Sequence, residues 1–326
     1  MSIEYDLFSK HTLKFNEDGH FKILMMSDIQ EPLNYDPRTL DCMDRLIEKE
    51  RPDFVMLGGD NCNGLVMHTP DELKAYLDIF SVPMEKRKIP WAHVFGNHDH
   101  DMKFDDLTKT KIYEQYPYCV SKHTDGMKGT TNYVLPIYTS SEDRIAFHLW
   151  ALDSNNSIKD TFKELDFKRD IRPLKRTPVA APSDIVGFEQ LMWYWNTSKK
   201  LEEHNGALVN GLLFMHVAPW EFLYIMENPE QTGGVGSMVE NMGLGTFNSG
   251  LFSTILQRGD IKCIACGHTH KNDFVGTFCG VKMCLDACAG YSPYGIDELR
   301  GGRVFILNEN DPADIQTYMS AYQNLT

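Results

Sequence analysis

Five short apolar runs in this chain each stop at groups that can bind a metal. Lys22–Met26 leads into Ser27-Asp28-Ile29-Gln30, Phe54–Leu57 into Gly58-Gly59-Asp60-Asn61, and Trp91–Phe95 into Gly96-Asn97-His98-Asp99. Further on, Gly211–Met215 leads into His216, and Ile261–Ala265 leads through Cys266 into Gly267-His268-Thr269-His270. A short apolar run bounded by turn residues reads as a buried strand. Pro37–Arg51, with Leu40, Met43, Leu46 and Ile47 on one stripe, and Pro70–Phe80, with proline at its start, read as helices between the first three. Strand and helix in alternation imply an α/β fold, and in such sheets ligands gather outside the carboxyl ends of the strands. Asp28 and Gln30, two residues apart, share one face of an extended chain.

Beyond the third run the pattern changes. Asn132–Tyr138 and Arg144–Asp153 read as antiparallel strands around a Ser-Ser-Glu-Asp turn. Phe188–Glu203 reads as a helix carrying Leu191, Met192, Trp195 and Leu201, and short strands follow through Val275, Met283 and Arg303–Leu307. Residues near 154–186 are polar and dotted with proline, which suggests a surface excursion. Residues near 230–251, rich in Gly, Asn, Ser and Met, suggest a long functional loop. With no internal repeat or low-complexity tract, residues 1–326 are read as one domain, and 42% hydrophobic residues suffice for a large core.

Composition narrows the partners. The net charge of -14 disfavours a nucleic-acid backbone, which is bound by Lys and Arg that replace counterions. A small phosphorylated substrate or a phosphoprotein stays open, because bound cations reverse the local field. No stretch approaches the roughly 18 apolar residues of a membrane span, so no membrane partner is expected. The opening MSIEYDLFSKHTLKF lacks a signal-peptide pattern, and eight cysteines fit a reduced interior, so a cytoplasmic location is expected. Cys263 and Cys266 form one CxxC without a second pair, which reads as buried sulfur rather than a zinc or redox motif.

Taken singly, each strand-end group has an ordinary explanation. An Asp after a strand caps a turn, His-x-His decorates a surface, and Asn97 tolerates a left-handed turn. Together they place carboxylates, amides and imidazoles on one rim. Oxygen and nitrogen donors without thiolate suit Mn, Fe, Zn or Mg.

The series GGDN, GNHD, HVAPWEF and GHTH resembles the calcineurin-like metallophosphoesterases, over about Phe21 to Leu307. Gln190-Leu-Met-Trp193, His216-Val-Ala-Pro219-Trp-Glu221, His268-Thr-His270-Lys-Asn272-Asp273, Gly290-Tyr291 and Arg300-Gly-Gly-Arg303 look like its purple-acid-phosphatase-like branch. The chromophore tyrosine expected after GD is replaced by Asn61-Cys62-Asn63, so the purple colour should be absent. The resemblance implies a four-layer α/β/β/α sandwich of two mixed sheets and a two-metal site. It assigns Asp28, Asp60, His270 and the position of Gln30 to one ion, and Asp60, Asn97, His216 and His268 to the other, with Asp60 bridging. It further implies hydrolysis of a phosphomonoester or phosphodiester by a hydroxide bridging two ions roughly 3.5–4 Å apart. His98 is expected to donate a proton to the leaving alkoxide and Asp99 to orient His98.

Most relatives carry His where this chain has Gln30. A neutral amide oxygen is a weaker donor, so the first ion should bind less tightly or be a harder cation. Gln30 could instead bond a metal-bound water. The alternative to an enzyme is a metal-bearing, catalytically silent binding scaffold with an impaired first site. Specificity is expected near 103–129, 230–251 and Tyr291. His93 is expected in the core or behind the site, His100 near substrate or in a turn, and His123 carries no assigned role. Trp193 and Trp195 are expected to pack, Tyr291 and Tyr294 to wall a pocket or to be structural, and Asn61 to touch substrate or to cap a turn. Oligomeric state is not written in the sequence.

Overall fold

The computed structural model describes residues 10–164 and 184–325. Its strands in chain order are β1 (Leu13–Lys14), β2 (His20–Met26), β3 (Phe54–Leu57), β4 (Trp91–His93), β5 (Tyr133–Tyr138) and β6 (Ile145–Ala151). They continue with β7 (Gly211–Phe214), β8 (Ile261–Cys266), β9 (Val275–Phe278), β10 (Val281–Leu285), β11 (Gly301–Asn308) and β12 (Gln316–Ala321). The longer helices are α1 (Pro37–Glu50), α2 (Pro70–Phe80), α3 (Asp106–Tyr113), α4 (Phe188–Asn205) and α5 (Leu251–Arg258).

Helix starts follow local chemistry. Asp36 accepts the Arg38 N–H and Pro37 opens α1. Thr69 and Glu72 form a reciprocal capping box at α2, with Pro70 next. Each helix returns the chain to a parallel strand, so β2, β3 and β4 lie side by side. β11 pairs antiparallel with β2 and β12, completing a five-stranded sheet of order β12-β11-β2-β3-β4. The other sheet has order β1-β5-β6-β7-β8-β10-β9, with β6, β7, β8 and β10 parallel.

The two sheets pack face to face. Ile23, Met25, Phe54 and Met56 from the first meet Leu149, Leu212, Phe214 and Ala265 from the second in one apolar cluster. On the outer face of the first sheet, Leu24, Val55 and Leu57 pack on Met43, Leu46, Leu73 and Leu77 of α1 and α2. On the outer face of the second, Leu213, Ile264 and Met283 pack on Leu191, Tyr194, Phe252 and Ile255 of α4 and α5. Helix, sheet, sheet and helix are the four expected layers, and strands buried on both faces explain why they read as continuous apolar runs.

Some elements differ from expectation. β1, β12, α3 and α5 were not expected. The buried face of α3 is Lys109, Thr110, Ile112 and Tyr113, which no apolar stripe marks. β12 is a partly exposed edge of polar sequence. In α4 the inward residues are Leu191, Tyr194 and Leu201, while Met192 is exposed. Near 154–186 the chain ends are not superficial: Ser154, Asn155, Ile158, Asp184 and Val186 are buried. Residues 165–183 of that excursion lie outside the described residues. Near 230–251 the loop is tied down by bridges from Val235 to Val275 and from Met238 to Asn272.

Candidate metal centre

The rim is built from backbone that most residues avoid. Asp28, Gln30, Asp60 and His268 have φ of 53°, 44°, 49° and 70°. The left-handed region is unfavourable for residues with a Cβ by roughly 1–2 kcal/mol each, and such strain gathers at functional sites. Backbone bonds brace the turns: Asp28 N–H donates to Gly59 O at 3.0 Å, and Gln30 N–H to Asp60 O at 2.9 Å. Glycine allows close approach where the turns meet. A Cβ on Gly96 would stand 2.2 Å from Asp60 Oδ1, and one on Gly243 would stand 2.4 Å from His268 Nε2.

Two ligand groups share one carboxylate. Asp60, His216 and His268 form the first and Asp28, Asp60 and His270 the second, with each group's ligand atoms within 4.8 Å of one another. His216 Nε2 lies 3.2 Å from Asp60 Oδ2, and His270 Nε2 lies 3.1 Å from Asp28 Oδ1. Asp28, Asp60 and Asn97 follow strands of the five-stranded sheet; His216, His268 and His270 follow strands of the seven-stranded one. The centre therefore sits at the seam.

The donors are oriented from behind. His216 Nδ1 contacts Gly58 O at 2.9 Å and His270 Nδ1 contacts Tyr294 O at 2.8 Å. A carbonyl accepts only N–H, so both rings keep a bare Nε2 when neutral. Asp28 Oδ2 accepts from Ser27 Oγ at 2.6 Å and from His268 N–H at 3.0 Å. Asp28 Oδ1, Asn97 Oδ1 and His216 Nε2 are buried without a hydrogen-bond partner. Buried polar atoms are normally paired, so three unpaired donors converging on one rim fit a cation.

The electrostatics agree. Burial opposes ionisation of Asp60, and the charges of His216, His98 and His268 more than offset it, so its carboxyl falls well below the ordinary range. Asp28 is likewise lowered, with burial outweighed by His270 and His216. Burial disfavours charge on His216, yet Asp60 and Asp28 raise it to about 9. In His270 burial is outweighed by Asp28, which raises it to about 12. Burial and the His216 charge hold His268 down to about 4. The rim attracts positive charge.

A cavity of about 300 Å³ opens above it, lined by Gln30, Asn63, His98, Ser292, Pro293 and Tyr294 as well as Asp60, His268 and His270. His98 N–H donates to Asp60 Oδ1 at 2.7 Å, and His98 Nδ1 pairs with Asp101 Oδ2 at 2.7 Å. The expected partner Asp99 is thus corrected to Asp101. Asp99 is fully buried and accepts from Gly96 N–H at 2.8 Å and Asn61 N–H at 3.0 Å, so it ties two rim turns together. Burial and the charge of Asp60 push Asp99 up to about 7. Sequence reasoning missed Asp101, whose one signal was its place three residues after His98.

Other expectations are resolved by contacts. Asn61 turns its amide inward, donating to Val94 O at 2.8 Å, away from substrate. His100 does not face the cavity: it is held between Asp106 and Asp153, each at 2.9 Å. His93 bonds Ser121 and stacks on Tyr113 in the core, and His123 pairs with Glu114. Tyr291 lies against Arg38 and Arg300, whereas Tyr294 walls the cavity and stacks on His270. Both CxxC sulfurs are buried, and Cys263 Sγ lies 3.7 Å from Cys284 Sγ.

The calcineurin-like phosphoesterase pattern matches residues 21–272. The chain belongs to this family. As a calcineurin-like phosphoesterase with these ligand groups, it is expected to use divalent metal. It is 29% identical to the Arabidopsis thaliana protein named probable inactive purple acid phosphatase 14, covering 88% of this chain and 75% of that one. It is 28% identical to probable inactive purple acid phosphatase 29 of the same plant, covering 88% and 76%. Its fold is similar to a dimetal phosphatase from Danio rerio, with a TM-score of 0.54 at 13% identity over 92% of this chain and 98% of that one. Among the described residues, no helix is long and apolar enough to cross a membrane.

Proposed function

We propose that this calcineurin-like phosphoesterase hydrolyses a small phosphate ester at a two-metal centre. The observation that carries this reading is the pair of ligand groups sharing Asp60, with Asp28 Oδ1, Asn97 Oδ1 and His216 Nε2 buried and unpaired. Asp28, Gln30, Asp60 and His270 would hold one ion; Asp60, Asn97, His216 and His268 would hold the other. Mn, Fe, Zn and Mg suit these donors. When bound, two such ions clamp a phosphoryl group and lower the pKa of water.

The chain's own groups do the rest. Gly58 O and Tyr294 O fix the tautomers of His216 and His270. Asp101 accepts Nδ1–H of His98, which turns Nε2 toward the cavity. As the ester P–O bond breaks and water oxygen bonds phosphorus, Nε2–H of His98 gives its proton to the departing alkoxide. Asp101 holds that ring in register as a positioning residue.

A second reading is a phosphate-binding scaffold without turnover. It is favoured by Gln30, a neutral donor on the first ion, and by the word inactive in the names of the plant relatives. Assays of p-nitrophenyl phosphate and bis(p-nitrophenyl) phosphate with each metal added in turn separate the two. Turnover that disappears in Asp60→Asn supports the enzyme. Two ions bound with no turnover under any metal supports the scaffold.

A further inference from the structure

We propose that the ester is a phosphodiester, with a flat, mostly apolar group retained against Tyr294 while the other group leaves beside His98. The inference rests on the phosphoesterase reading and names its substrate class.

The walls of the cavity supply little extra positive charge. Beyond the candidate ligands and His98 they consist of Gln30, Asn63, Ser292, Pro293 and Tyr294, and no Lys or Arg lines the cavity among the described residues. A monoester arrives as a dianion with three terminal oxygens, which proteins commonly meet with guanidinium or ammonium groups. A diester carries one negative charge and two terminal oxygens, and brings a second carbon group that needs a surface.

Nearby cations are committed elsewhere. Arg300 is buried, donates to Pro293 O at 3.0 Å and pairs with Asp297 at 2.9 Å. Lys271 Nζ lies 5.2 Å from the centre of the Tyr294 ring, outside the cavity lining.

Tyr294 supplies the surface. Its ring stacks on His270 at 4.1 Å between centroids and 10° or less from parallel, at 9°, while the residue stays 56% exposed. Its own carbonyl receives His270 Nδ1, so the wall cannot swing away without disturbing a candidate ligand. Pro293 extends the rigid surface. His98 stands on the other side, bonded through its N–H to Asp60, whereas His270 beneath Tyr294 contacts Asp28. Two ester groups on one phosphorus therefore find two different walls. The cavity of about 300 Å³ falls at the lower end of the range for small-molecule sites, with room beyond a bare phosphoryl group.

The test compares p-nitrophenyl phosphate, methyl p-nitrophenyl phosphate and bis(p-nitrophenyl) phosphate on metal-loaded full-length protein, so the leaving group is constant. Expected is a kcat/KM for the bis-aryl diester at least about tenfold above the monoester. Tyr294→Leu should lower the bis-aryl to methyl ratio about tenfold, since the aromatic surface is lost. Faster monoester hydrolysis overturns the inference and leaves the phosphoesterase reading standing. A ratio unmoved by Tyr294→Leu overturns the placement of the retained group. Failure to hydrolyse any ester sinks the phosphoesterase reading instead. Selectivity is then read by calorimetry with diphenyl phosphate and phenyl phosphate, and tighter binding of phenyl phosphate overturns the inference as well.

Discussion

Asp101 shows how much a single carboxylate matters at this rim. Its bond to His98 Nδ1 leaves the metal donors untouched, so Asp101→Asn should lower kcat about 10- to 100-fold while two ions still bind. Metal stoichiometry measured beside the rate checks both halves. Gln30→His should tighten one of two sites in a metal titration, because imidazole is a better donor than an amide; equal isotherms would show that Gln30 lies outside the coordination shell. Strand-end carboxylates, amides and imidazoles were legible in the sequence because apolar runs announced the strands. The choice between Asp99 and Asp101 was not. Within a tight turn, side-chain direction depends on the backbone dihedrals, and Asp99 is drawn inward by the N–H groups of Asn61 and Gly96. Those donors come from two separate turns, which no local spacing reveals.

At the scale of elements, legibility followed the strength of local signals. α1 and α2 were readable because a proline opens each and an apolar stripe follows. α3 was not, because its buried face includes Lys109, whose ammonium is paired with Asp106 at 2.7 Å. β12 exists through its pairing with β11, a long-range contact. The capping box gives a direct test: Thr69→Ala should cost about 1 kcal/mol and be seen as a lower urea midpoint. The loop over the site gives another. In Gly243→Ala the new methyl can be admitted by displacing His268, so metal affinity should fall about tenfold with little change in helix content. Calorimetric titration with Mn or Zn measures the first quantity and circular dichroism the second.

For the molecule as a whole, pH stability depends on a buried group of charges beside the site. His100 is raised well above its ordinary value, burial being outweighed by Asp153 and Asp106. Its contribution is full below about pH 6.5 and is lost as pH rises through its folded pKa. Burial disfavours the charged form of Asp106, yet His100 and Lys109 lower it to about 2; Asp153, also buried, is lowered by His100. Their contribution is full above the ordinary Asp value of about 3.9 and is lost as pH falls through the lowered values. His100→Gln should therefore be less stable than the parent near neutrality, with the difference narrowing towards pH 2 and again at high pH. Urea midpoints across pH check the sign at each end.

The placement of carboxylates and the amide on one sheet and of imidazoles on the other has a mechanical consequence. An ion seated between them acts as a rivet through the two halves of the sandwich, so sliding either half must first unfasten it. Adding metal should then slow amide exchange in β2 and β8 together, although these strands belong to different sheets. Grip on the cation and resistance to shear would be the same property, measured from two directions.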